Sequence, residues 1–249
     1  MKLRCLILGV VMSTTAFSQI PEGSRAWPGP KSSLSLFKQY RPKGKSTWQQ
    51  GWAFRYDLTG VAMDSDRAAT LITDRHVVMA RHFPRKVGDL IHFHNRKGNV
   101  EARKIVGVAK TKFDVSVGLL DKTVDSSIAR YPLLDLKGRD FKPLIGRRVL
   151  VTDKTRQLHV HEFENLIGGA YARLRPCDGF KAKKLIGGDS GNPSFIVVQG
   201  GLVLVETHTH GGPGAGPFYG SPEVQEEIKK AMLELGLSLP LELVELEPD

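Results

Sequence analysis

The sequence predicts an all-β fold, antiparallel barrels or sandwiches, with one α-helix near its C-terminus. Three observations carry that prediction. Short apolar or alternating runs recur between turn residues along most of the chain, as many short strands do. Only one stretch has helical spacing. Beyond residue 12, no stretch is long and apolar enough to cross a bilayer.

Taken in order, residues 1–18 hold Lys2 and Arg4, an apolar run from Cys5 to Met12, and small or polar residues ending Ala16-Phe17-Ser18. That is the order of a signal peptide, cleaved near Ser18–Gln19, and it predicts a secreted or periplasmic protein. The apolar run is too short to span a membrane, so no stable insertion is expected after cleavage. The formal net charge is +10, and removing Lys2 and Arg4 leaves +8. Cys5 leaves with the same segment, so Cys177 stands alone and no intramolecular disulfide can form. Roughly 230 remaining residues bury an ample core without one.

Residues 19–50 are rich in Pro, Gly, Ser and Lys and read as an extended arm anchored by Trp27, Phe37 and Trp48. A first series of strands follows at 60–63, 69–72, 90–93, 104–108 and 115–120, and a second at 148–151, 158–160, 166–173, 195–198 and 202–205. The charged, proline-containing stretch Lys122 to Phe141 reads as the link between two halves. Ser221-Pro222-Glu223 opens the helix, Val224, Ile228, Met232 and Leu235 give it an apolar face, and Gly236 stops it. Glu242, Glu245, Glu247 and Asp249 read as a solvated acidic tail.

A positive balance raises the question of nucleic acid. The basic residues, among them Arg96, Lys97, Arg103, Lys104, Lys142, Arg148, Lys181, Lys183 and Lys184, are spread over strand ends and turns, with no stacking aromatics between them. They read as solvated surface, and no nucleic-acid partner is expected.

The chemistry concentrates in Gly187-Gly188-Asp189-Ser190-Gly191-Asn192-Pro193. Glycines on both sides of a serine let the backbone close around an exposed hydroxyl. The N–H groups of Gly188 and Ser190 are placed to converge on one oxygen, as a developing oxyanion requires. A hydroxyl needs a base, and the base needs an orienting group. Two histidines compete for that role in Thr73-Asp74-Arg75-His76-Val77-Val78-Met79-Ala80-Arg81-His82-Phe83. His76 sits in a polar turn, where a solvated histidine is expected, while His82 closes an apolar segment. Asp114, at the head of the apolar run Val115 to Leu120, is the candidate orienting acid.

The order His82, Asp114, Ser190 resembles that of the chymotrypsin-like serine proteases. The segment ending Ala80-Arg81-His82 is similar to that family's Thr-Ala-Ala-His-Cys motif, and Phe113-Asp114-Val115-Ser116-Val117-Gly118-Leu119-Leu120 to its Asp-Ile-Ala-Leu-Leu motif. Gly188-Asp189-Ser190-Gly191-Asn192-Pro193 differs by one residue from its Gly-Asp-Ser-Gly-Gly-Pro. The resemblance covers roughly residues 55–235. It implies two antiparallel six-stranded β-barrels, at 51–128 and 129–220, with the helix and tail at 221–249. By the same resemblance Ser190 is nucleophile, His82 base, Asp114 its orienting acid, and Gly188 and Ser190 form the oxyanion hole. It implies a peptide or protein substrate, a monomer, no organic cofactor and no metal.

The departures are informative. Phe83 replaces the family's cysteine after the histidine, as in disulfide-poor bacterial members. No Ile-Val-Gly-Gly activation site follows the signal peptide, so Asp189 lacks the new N-terminus that it pairs with in activated relatives. Lys184 occupies the position at the base of the trypsin specificity pocket, which argues against cleavage after Arg or Lys. His208-Thr209-His210-Gly211-Gly212 looks like the His-Thr-Asn-Gly-Gly of glutamyl endopeptidases, which makes Lys184, His208 and Gly211 substrate-binding candidates and Glu or Gln the expected P1 residue. Leu185 stands where those enzymes carry a threonine. The pairs His92/His94, His159/His161 and His208/His210 invite a zinc reading but lack a clear third ligand. Two functions follow, a secreted serine endopeptidase or a catalytically silent relative that binds peptides or proteins.

Overall fold

The computed structural model describes residues 27–29, 32–181 and 183–246. The signal peptide, residues 19–26 of the arm, and Glu247 and Asp249 of the tail lie outside the described residues. The strands run β1 (Phe37–Gln39), β2 (Thr47–Trp48), β3 (Val61–Ala62), β4 (Ala69–Leu71), β5 (His76–Ala80), β6 (Leu90–His94), β7 (Val100–Lys110) and β8 (Val115–Leu120). They continue with β9 (Leu133–Asp135), β10 (Arg148–Thr152), β11 (Leu158–Ile167), β12 (Tyr171–Pro176), β13 (Pro193–Val198), β14 (Gly201–Thr207) and β15 (Ala215–Pro217). Helix α1 (Pro222–Glu234) and strand β16 (Leu243–Glu245) complete the chain. The protein is thus mostly β with one α-helix among the described residues.

Strands β3 to β8 form a six-stranded sheet in the order β3-β4-β5-β8-β7-β6, which nearly closes into a barrel as β6 comes back beside β3. The second sheet is an eight-stranded half-barrel in the order β15-β12-β11-β10-β13-β14-β9-β16. It exceeds the expected six strands because β9 pairs with β14, and β16 with β9, both in parallel. The supposed link therefore contributes a strand. The acidic tail is corrected too: Glu242 and Glu245 are exposed, but their backbone lies on the sheet, with Leu133 N–H donating to Glu242 O at 2.9 Å.

Strand alternation explains the continuous apolar runs. Successive side chains point to opposite faces, so a strand polar on neither face must be covered on both. In β5, Val77 and Met79 enter the interior of the first barrel while Val78 faces away from it. In β10, Val149 and Val151 enter the second interior, and Leu150 faces out; in β13, Ile196 goes in and Phe195 out. The outward residues Val78, Val117, Leu150 and Phe195 belong to one shared core between the sheets.

The arm and the helix seal that shared core. Leu36, Phe37 and Trp48 are buried in it, and the Phe37 and Trp48 rings stack at 4.2 Å. The arm is also hydrogen-bonded to the second sheet: Leu36 N–H donates to Arg156 O and Leu158 N–H to Leu34 O. Helix α1 begins after Ser221 with Pro222 at its first turn, packs Val224, Ile228, Ala231 and Met232 inward against β7 and β8, and ends at Gly236 with φ +77°. Among the described residues no helix is long and apolar enough to cross a membrane.

Trp48→Ala therefore removes a ring packed on Phe37 and its indole hydrogen bond to Asn95 O. It is expected to lower the free energy of unfolding by about 3–5 kcal/mol. Urea denaturation of the two proteins checks this, and a loss below about 1 kcal/mol would mean that the arm only rests on the surface.

Candidate active site

The strand register brings the first two predicted residues together. β5 and β8 are antiparallel with Ala80 opposite Val115, so the next pair outward is Arg81 and Asp114. Arg81 N–H continues the ladder to Asp114 O at 3.2 Å. His82 then folds back over the strand end. Its backbone N–H donates to Asp114 Oδ1 at 2.9 Å and its ring Nδ1 lies 2.6 Å from Asp114 Oδ2. Asp114 is buried, with its two oxygens held by one residue from main chain and ring. A carboxylate placed so fixes both the orientation and the tautomer of the imidazole, leaving Nε2 to face outward.

Ser190 reaches that nitrogen from the other sheet. Its Oγ lies 2.9 Å from His82 Nε2. The serine loop is the entry to β13, a strand flanked by β10 and β14. Beyond β14 the pairing runs on into the loop: Gly191 N–H donates to His208 O at 2.9 Å and His208 N–H to Asn192 O at 3.0 Å. Gly191 has φ +82°, and a Cβ there would lie 3.3 Å from Ala80 N and 3.4 Å from Ala68 O. Only glycine lets the loop press this closely on the first barrel. His82, Asp114 and Ser190 thus meet at the seam between the sheets.

The two expected oxyanion donors are free. Gly188 has φ +91°, and neither its N–H nor that of Ser190 has a hydrogen-bond partner among the described residues. Asp189 between them is buried, and both of its carboxylate oxygens are engaged by backbone N–H groups. Its Oδ1 accepts Lys154 N–H at 3.1 Å and its Oδ2 accepts Ile186 N–H at 2.8 Å.

A cavity of about 100 Å³ opens beside Ser190, lined by Leu185, Ile186, Gly187, His208, His210 and Gly211 among others. Its two walls are tied by a backbone bridge, Leu185 N–H to Gly212 O at 2.7 Å and Gly212 N–H to Leu185 O at 3.1 Å. Gly211 lies in the wall, with Leu185 O 2.9 Å from where a Cβ would stand. Lys184 is exposed and does not line the cavity. His208 does line it, but its ring is engaged elsewhere. Nε2–H donates to Thr152 O at 3.0 Å, and Nδ1 lies 2.8 Å from Oε1 of the fully buried Glu206. Burial opposes a charge on His208, yet Glu206 and the Thr152 bond outweigh it and raise its pKa above the ordinary 6.5. The direction of that shift favours a protonated ring beside the Glu206 carboxyl. An acidic substrate side chain would have to displace Glu206 or Thr152 to bind this ring.

Lys183, assigned to the solvated surface by the sequence, points inward. Its Nζ lies 3.2 Å from Asp153 Oδ2 and 4.0 Å from Asp189 Oδ2. Asp153 is fully buried and also accepts His159 Nε2–H, Thr155 and Gln157 N–H; burial works against its charge, but these bonds hold its pKa well below the ordinary carboxylate value. Lys154 Nζ donates to Gly187 O at 2.6 Å. The sequence held one clue to these lysines, namely that a buried Asp189 needs a counter-charge. Arg96 also departs from the surface reading, since it is half-buried over the Phe54 ring at 3.7 Å.

His76, His92, His94, His159 and His161 are held by partners within the fold, while His210 is exposed and lines the cavity. His76 is buried, not solvated, because it opens β5, and its Nδ1 lies 2.9 Å from Thr73 Oγ1. His92 Nδ1 pairs with Asp64, His94 Nε2 with Arg41 O, and His161 Nδ1 with Pro213 O. Among the described residues no three His, Cys, Asp or Glu side chains converge as a metal site. Cys177 is free and buried.

No family model matches this chain, and comparison with curated proteins returns no match. The site therefore stands on its own geometry. Two buried histidines of the fold set an acid limit on stability. Burial lowers the pKa of both His76 and His161 from 6.5 to about 4. Their unfolded forms take up protons first, so folding stability is present above pH 6.5 and is lost as pH falls towards 4. His208, with its raised value, acts in the opposite sense and above that window. The urea midpoint is accordingly expected to fall between pH 7 and pH 4.5, with a smaller fall in His161→Gln. An equal fall in both proteins would remove His161 from the account.

Proposed function

We propose that this protein is a serine endopeptidase of the chymotrypsin-like type, exported as its N-terminal sequence implies. The observation that carries the reading is the continuous chain of contacts Asp114 Oδ2, His82 Nδ1, His82 Nε2 and Ser190 Oγ, at 2.6 and 2.9 Å, beside two unpaired N–H groups. A structural cluster has no need of an aligned hydroxyl, imidazole and carboxylate opening on a cavity.

In this reading Ser190 Oγ attacks the scissile carbonyl carbon as its proton passes to His82 Nε2. The carbonyl oxygen takes up the electron pair and is held by the N–H groups of Gly188 and Ser190. When the tetrahedral adduct collapses, the C–N bond breaks and His82 returns the proton to the leaving amine. Water repeats the cycle on the acyl-enzyme, with His82 as base again, and releases the acid and Ser190. Asp114 stays ionised and stabilises the transient imidazolium. The side chain before the scissile bond enters the cavity beside Ser190. Because Glu206 already balances His208, the favoured residue there is uncharged, which narrows the expectation of Glu or Gln to the neutral member.

Purified protein is expected to cleave a peptide library, Ser190→Ala to leave it intact, and Asp114→Asn to lower kcat by about 10⁴-fold, the effect of presenting the wrong tautomer. Mass spectrometry of the products reads both rate and specificity. Equal cleavage by wild type and Ser190→Ala would overturn the reading, and dominant cleavage after Glu would overturn the pocket assignment alone.

A further inference from the structure

The oxyanion loop contains a weak point that the fold has to secure. Between Gly187 and Gly188 the peptide plane has no Cβ on either side, and Gly188 stands at φ +91°. Such a peptide turns over at little steric cost, and a turned peptide presents a carbonyl oxygen where the oxyanion donor is needed. Something outside the pair must choose between the two orientations.

We propose that two lysines of the chain itself make that choice, with Lys154 as the positioning residue for the oxyanion hole and Lys183 as the counter-charge beneath it. Lys154 Nζ donates to Gly187 O at 2.6 Å. In a planar trans peptide the C=O and N–H point to opposite sides, so an ammonium on the Gly187 oxygen commits the Gly188 N–H to the other side. That N–H has no partner among the described residues and is left for the substrate oxygen. The Lys154 side chain also packs on the glycine: a Cβ at 188 would lie 3.0 Å from both Cδ and Nζ. The same residue grips the loop a second time, through its backbone N–H to Asp189 Oδ1 at 3.1 Å.

Lys183 completes the arrangement. Asp189 and Asp153 are 1% and 0% exposed, and a buried carboxylate is tolerated only when compensated. Lys183 Nζ stands between them, 3.2 Å from Asp153 Oδ2 and 4.0 Å from Asp189 Oδ2. His159 and backbone N–H groups of the 153–157 turn occupy the remaining acceptor sites of Asp153. The loop is therefore set without a newly liberated amino terminus. The arm agrees with this, since Leu36, Phe37 and Trp48 are parts of the shared core and not a detachable cover.

This inference rests on the protease reading, and the experiment separates the two. The mature protein, Lys154→Met, Lys154→Arg and Ser190→Ala are compared in the rate of labelling by a fluorophosphonate, in kcat and KM on a cleaved peptide, and in affinity for a peptide aldehyde, whose adduct carries an oxyanion. Lys154→Met is expected to lower kcat about 10- to 100-fold, less than loss of an oxyanion donor outright, with KM within about twofold. Aldehyde affinity should fall in parallel with kcat, and Lys154→Arg should recover most of both. Lys154 is half-exposed, so its melting temperature is the control that the fold is intact. Unchanged kcat in Lys154→Met, or a raised KM with kcat intact, overturns the inference and leaves the protease reading standing. Wild type labelled only after limited proteolysis also overturns it, because a new terminus would then be required. Wild type unlabelled before and after proteolysis overturns both.

Discussion

The structure depends on the core that the two sheets share. Strand β5, at the seam, is apolar on both sides, with Val77 and Met79 turned into the first barrel and Val78 turned towards the second. Leu150 and Phe195 answer from the other sheet. Apolar area buried there holds two otherwise separate sheets at a fixed distance and angle. Only under that constraint can a histidine at the end of β5 and a serine at the start of β13 stand within hydrogen-bond reach. The arm and helix α1 close the open flanks of the same core, so the ends of the chain help to define the seam where the site sits.

Charge is managed along that seam in a consistent way. Asp114, Asp153, Asp189 and Glu206 are all buried, and each has a named partner: His82, then Lys183 with His159, then two backbone N–H groups with Lys183, then His208. A buried carboxylate without such partners would cost several kcal/mol. The arrangement leaves His82 Nε2, Ser190 Oγ and two backbone N–H groups as the groups presented to the cleft. The His208 ring is held by Thr152 and Glu206, while Thr209 and His210 also line the cavity.

Much of this was legible in the sequence, for identifiable reasons. The strands of both barrels announce themselves because two-sided burial makes them apolar runs between turns, and the helix because Pro222, the Val224-Ile228-Met232 spacing and Gly236 mark its start, face and end. The serine loop is legible because glycines at 188 and 191 meet backbone requirements that other residues cannot. What stayed hidden was non-local. The parallel pairing of Leu133–Asp135 with Leu243–Glu245 joins two three-residue runs over 100 residues apart, too short to carry a period. Lys183 and Lys184 are adjacent in a segment with no regular structure, and nothing in their spacing says that one turns inward. His76 looked like a turn residue because the polar Thr73-Asp74-Arg75 precedes it, while the strand that buries it begins at His76 itself.

The central claim is that Ser190 is a nucleophile activated by His82. The most direct measurement is the location of a covalent adduct: react the folded protein with diisopropyl fluorophosphate, digest it, and map the modified residue by mass spectrometry. One stoichiometric diisopropylphosphoryl group is expected on Ser190, formed with loss of fluoride, and absent from His82→Ala and from urea-unfolded protein. A folded protein that takes up no reagent even after limited proteolysis, or that takes it up at other hydroxyls as readily, would contradict it.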